Sequence, residues 1–201
     1  MAAEWTTAVD GAFRDVGLKA SADGNGRQRA ALLTAVHETV RGGGGSSAAA
    51  YSAALMGMLA TLLATQPDSG EDQAEAKADT VANVLYLISL VFPKVPQALL
   101  RKRTPQLLDS ITAAVDSHAQ AASSLVLRHG LKCIGLVLRA QDASEQPSVT
   151  VVRTFTRLLH SCVDPRPKVR HGWMRGHLLR SVARRMGSEY HPSTGALVGA
   201  S

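Results

Sequence analysis

The chain has 201 residues, enough to bury a sizeable core as one domain or one repeat array. Apolar residues make up 45% but aromatics only 4%, which predicts a Leu/Val/Ala core between closely packed helices and excludes a run of alternating strands. The net charge of +6 is uneven: residues 1–100 hold seven Lys/Arg and ten Asp/Glu, net −3, whereas residues 101–201 hold fifteen and six, net +9. Such polarity suits an anionic partner on the basic half, with solubility alone as the competing explanation. The opening MAAEWTTAVDGAF carries Glu4 and Asp10 where a secretory leader needs positive charge and then an apolar run. With that reading, Cys133 and Cys162 are expected as buried, reduced thiols in a cytosolic or nuclear protein.

The first predicted helix spans Glu4 to Lys19, where Trp5, Val9, Phe13 and Val16 form one apolar stripe before SADGNG breaks it. The second spans Arg27 to Arg41 and carries Leu32, Leu33, Val36 and Val40. The glycine-rich loop 42–45 has no preceding strand and no following Lys-Ser/Thr, so it is a flexible connection and not a phosphate cradle. Ser46–Thr65 is uncharged, and a membrane span has to be considered there. Its Ala, Ser, Thr and Gly content gives a marginal transfer energy and suits a helix wedged between neighbouring layers.

An acidic linker is expected over 66–79, followed by a buried helix from Val81 to Phe92 that Pro93 and Pro96 end. Gln97–Ser117 presents Leu99, Leu100, Leu107, Leu108, Ile111 and Val115. His118–Gln141 presents Leu125, Leu131, Ile134 and Leu138, with Val126 and Cys133 nearby. A helix from Ser148 to Val163 should bury Val152, Phe155, Leu158, Leu159 and Cys162. A final helix, Lys168 to Met186, precedes a Gly/Ser-rich tail over 187–201, expected to be flexible. The sum is about eight helices in antiparallel pairs with a period of roughly 40 residues. This predicts an all-α HEAT/armadillo-like α-solenoid over residues 1–186, with a single globular helical bundle as the competing architecture.

The joint VDPRPKVR (Val163–Arg170) concentrates charge on a stiff corner: Pro165 and Pro167 hold the turn, and Asp164 suits a helix cap. On the helix that follows, Arg170, Trp173, His177, Arg180 and Arg184 recur at spacings of three and four, opposite Met174, Leu178, Leu179, Val182 and Met186. With Arg166 and Lys168 they make one basic stripe. Guanidinium forks suit phosphate and an indole stacks on a base. The bland reading is a solvated helix whose tryptophan packs on a further repeat. A second basic cluster, Arg101, Lys102 and Arg103, could meet phosphate or act in nuclear import, or simply mark an exposed corner.

The seven histidines show no metal-ligand spacing with Cys, Asp or Glu. No nucleophile–base or twin-carboxylate pattern is present either. No catalytic residue, cofactor, metal or small-molecule substrate is expected.

FTRLLHSCVDPRPKVRHG, with LVFPKVPQALLRKR (Leu90–Arg103) and SSLVLRHGLKCIGLVLRAQD (Ser123–Asp142) in order before it, resembles the ribosomal-RNA-processing protein 12 family over residues 50–192. That resemblance implies a nuclear and nucleolar HEAT-repeat scaffold, binding pre-ribosomal RNA or acidic assembly factors alongside other pre-ribosome proteins. Its implied role is rRNA processing and small-subunit maturation and export. Members of that family are several times longer, so a fragment, a truncated gene model and a short paralogue are all open readings. The competing functional class is an importin-like protein–protein adaptor without RNA contact.

Overall fold

The computed structural model describes residues 24–43, 45, 47–65, 71–118, 124–142 and 147–161, and two short strands further on. The described helices are α1 (Gly24–Gly42), α2 (Ala48–Ala64), α3 (Glu71–Val91), α4 (Gln97–Lys102), α5 (Thr104–Ser117), α6 (Leu125–Arg139) and α7 (Val149–Ser161), with a 3-10 turn at Phe92–Lys94. β1 (Ser188–Tyr190) pairs antiparallel with β2 (Leu197–Gly199), Glu189 opposite Val198. The first and last predicted helices lie outside the described residues, as does Cys162.

The helices form two rows. α3 packs against α1 on one side and α6 on the other, while α5 packs against α2 and α7. The rows are joined by α1 on α2, α2 on α3, α5 on α6 and α6 on α7. Helices of the second row start at residues 48, 104 and 149, so the chain returns to the same row at unequal intervals, both longer than the roughly 40 residues expected. This is the layered, nearest-neighbour arrangement of an α-solenoid, in which each helix pair buries its apolar face on the next.

Local chemistry explains the boundaries. Ser47 caps α2 by accepting from the Ala50 amide at 3.2 Å. Residues 66–79 were expected as linker, yet α3 already begins at Glu71. Asp72–Ala76 are exposed and carry no apolar stripe, but Glu, Gln, Ala and Lys are strong helix formers and acids favour a helix start. The expected single helix over 97–117 is two helices, because Pro105 supplies no amide and its ring clashes with the Arg101 carbonyl. Thr104 Oγ1 closes the junction by donating to the Leu100 carbonyl at 3.0 Å.

Between the rows lies a continuous apolar core. Leu55, Leu59, Leu85, Ile88, Leu108, Ile111, Ile134, Leu138 and Leu158 are at 0–1% exposure. On α7 the buried face is Val151, Phe155 and Leu158, and Val152 points outward at 45% exposure. Phe155 and Leu158 are buried as expected and Leu159 packs partly against the core, so of the expected stripe's described residues only Val152 is misplaced, with Val151 taking the inward position. α6 is the most enclosed helix: its Gly130 lets it approach α5 so closely that an added Cβ would meet Val115 Cγ2 at 2.4 Å. Cys133 is a free, buried thiol that donates to the Leu85 carbonyl at 3.2 Å, and burial pushes its pKa up. α2 lacks charge because its outward positions are small residues, Ala53, Gly57 and Ala60. Among the described residues no helix is long and apolar enough to cross a membrane.

Candidate nucleic-acid interface

Arg166, Lys168, Arg170, Trp173, His177, Arg180 and Arg184 lie outside the described residues. Of the second cluster, Arg101 is half-buried and donates Nη1 to Asp142 at 2.9 Å, while its Nε is buried without a partner. It clasps the α4–α5 junction to the chain end of α6. The same region is braced by Gln141 Nε2, which donates to Thr104 Oγ1 at 2.8 Å. Lys102 and Arg103 are exposed. Arg103 borders a cleft of about 170 Å³ lined by Ser52, Met56, Leu99 and Leu107, well below the roughly 300–1,000 Å³ of drug-sized ligand sites.

The two rows differ in charge. On the α2–α5–α7 row, Arg153 faces Asp109 at 3.9 Å and Arg157 pairs with Asp116, so cations and carboxylates offset one another. On α6, Arg128, Lys132 and Arg139 are all exposed, and none pairs with a carboxylate among the described residues. Spacings of four and seven put them within an arc of about 40°. The Ser123–Asp142 segment was legible as an apolar helix, and this second, basic periodicity on its other face was missed. It is visible in the sequence at 128, 132 and 139.

Where α1, α3 and α6 meet, a polar cluster flanks these cations. Arg29 donates Nε to Asn83 Oδ1 at 2.7 Å and lies over the Tyr86 ring, 4.4 Å from its centre. Asn83 Nδ2 donates to Gln28 Oε1 at 2.5 Å, and Gln28 Nε2 donates to Thr80 Oγ1 at 2.7 Å. Tyr86 meets His129 edge to face at 5.3 Å. His129 is only 7% exposed, and its Nε2 is buried without a hydrogen-bond partner. Its pKa is pushed down to about 4, first by desolvation and then by the fields of Arg128, Arg29 and Lys132. All three cations act in one direction and no carboxylate opposes them. Among the described residues, no group of three or more His, Cys, Asp or Glu comes together in a way that could hold a metal ion.

Residues 19–177 match a family described as RRP12-like, N-terminal HEAT repeats. The RRP12-like protein of Gallus gallus is 30% identical over 169 residues, covering 81% of this chain and 12% of the relative. Its Homo sapiens counterpart is 29% identical over 147 residues, covering 73% and 10%. Ribosomal RNA-processing protein 12 of Saccharomyces cerevisiae is 28% identical over 155 residues, covering 73% and 12%. The chain thus spans about a tenth of the length of the curated relatives it matches. No solved structure matches it. A two-row helical array and a family match over residues 19–177 agree: this chain belongs to the RRP12-like family, within its N-terminal HEAT-repeat region.

Proposed function

We propose that the chain is a non-enzymatic helical-repeat scaffold of ribosome biogenesis, acting in the nucleus and nucleolus. In this reading it holds pre-ribosomal RNA and assembly factors together during rRNA processing and small-subunit maturation and export. The family match over residues 19–177 carries the proposal, with the name of the yeast relative supplying the process. The cations of α6, which pair with no carboxylate among the described residues, support a polyanionic partner over a purely apolar one. The exposed large apolar side chains among the described residues, Val149 and Val152, lie on α7 in the other row.

The basic stripe Arg166, Lys168, Arg170, Trp173, His177, Arg180 and Arg184 is proposed as one RNA contact, with Lys102 and Arg103 as further basic positions. Arg170→Glu/Arg180→Glu/Arg184→Glu should weaken RNA binding and flatten its salt dependence by about 0.7 in log–log slope per lost phosphate contact. Crosslinking and sequencing of bound RNA in cells should recover pre-ribosomal RNA. Recovery of pre-ribosomal proteins that survives nuclease, with no crosslinked RNA, would instead establish the protein-only adaptor.

A further inference from the structure

We infer that the outward face of α6 is a second phosphate-contact surface for single-stranded RNA, formed by Arg128, Lys132 and Arg139 and completed at its Arg128 end by Arg29 of α1. The inference deepens the reading above and rests on it. It assigns RNA contact to the α1–α3–α6 row, separately from the stripe at 166–184.

Charge on this face is uncompensated among the described residues. Arg128 and Lys132 sit one turn apart on α6, and the field of Arg29 from a different helix reaches the same imidazole. The partners that hold Arg29 are the neutral Asn83 amide and the Tyr86 ring, so it is fixed in position without being neutralised. A fold that only needed solubility would gain from carboxylates here, as it does at Arg153 and Arg157. Like charges gathered without counter-charge oppose folding, and a bound anion relieves that opposition.

His129 lies next to Arg128 on the buried side of the same helix. Burial keeps it neutral, and its Nε2 finds no partner in a core whose polar groups are otherwise mostly bonded. A neutral imidazole adds no counter-charge to Arg128, Lys132 and Arg29, so the cluster is left uncompensated on its inner side too.

Geometry and surroundings choose RNA over an acidic peptide. At 1.5 Å per residue the ridge from Arg128 to Arg139 runs about 16 Å, with the first two charges about 6 Å apart, a track for several successive phosphates. Two of its three cations are arginines, which fork onto phosphate oxygens. Peptide partners are anchored by apolar side chains in desolvated pockets. The exposed large apolar residues, Val149 and Val152, lie on α7 and not on this face.

The test compares the full chain with Arg128→Glu/Lys132→Glu/Arg139→Glu, using a labelled unstructured oligouridine in a salt series. A charge-matched control, Arg41→Glu/Lys94→Glu/Arg153→Glu, carries the same change scattered over other surfaces. The ridge variant should bind at least about tenfold more weakly and lose about 2 from the log–log salt slope, while the control loses under about threefold. Since all three ridge residues are exposed, the variants should keep the wild-type helical circular dichroism; Arg128→Gln/Lys132→Gln/Arg139→Gln gives a milder second reading in the same direction. Equal losses in the ridge variant and the control overturn the inference. So does polyglutamate of matched charge displacing oligouridine at equal concentration in a ridge-dependent manner. If the wild-type chain binds the probe and only Arg170→Glu/Arg180→Glu/Arg184→Glu weakens it, the scaffold reading stands and this surface fails. If the wild-type chain binds no RNA, both fall.

Discussion

His129 ties the electrostatics of the α6 face to the stability of the core. Its folded pKa of about 4 lies below the ordinary 6.5, so the unfolded chain binds more protons between those values. The stability this contributes is complete above pH 6.5 and is lost as pH falls toward 4. The full loss is on the order of 3 kcal/mol at 1.36 kcal/mol per unit. Urea denaturation at pH 7 and pH 4.5 should show a fall in midpoint that His129→Gln largely removes. Gly130, the next residue, acts by size. Gly130→Ala drives a Cβ into Val115 Cγ2, a methyl on a stiff β-branched side chain. Overpacking of about 1–3 kcal/mol should outweigh a helix-propensity gain of about 1 kcal/mol. Pairing it with Val115→Ala should cost less than the sum of the two single changes, because the second makes room for the first.

At the scale of the element, helix ends follow chemistry more than apolar pattern. Ser47→Ala removes the side-chain acceptor for the Ala50 amide and should cost about 1 kcal/mol, measurable by thermal melting. The buried faces of α5 and α6 were legible, since Leu107, Leu108, Ile111 and Val115, and Leu131, Ile134 and Leu138, repeat at helical spacing and all are buried. The start of α3 was not legible from that pattern, because its first turns bury nothing. Their signal is propensity and dipole. The break at Arg103 was present in the sequence as Pro105, overridden by the strong leucine stripe on either side. On the helical wheel Val151 falls inside the arc set by Phe155, Leu158 and Leu159 and Val152 just beyond its edge, so the inward valine was legible from spacing.

For the whole molecule, α6 is the shared wall: it touches α3 in its own row and both α5 and α7 in the other. Ile134→Ala, at a site 1% exposed, should therefore cost about 2–5 kcal/mol and loosen three helices together, read as lowered denaturant midpoint with loss of protection in α3, α5 and α7. The layered fold and its family were legible from the ordered blocks at Leu90–Arg103, Ser123–Asp142 and Phe155–Gly172. The division of charge between rows was not, because it depends on which helices become neighbours. Arg153 and Arg157 look as basic in the sequence as Arg128 and Lys132, and only packing against α5 supplies Asp109 and Asp116 to the former pair.

The helix α3 is unevenly clothed along its length: Asp72–Ala76 face solvent, whereas Val81–Leu85 and Leu87–Ser89 are covered. Deuterium should therefore enter its amides as a gradient, quickly over the opening turns and slowly toward Val91. One rod would then be a loose handle at its beginning and a fixed beam at its close.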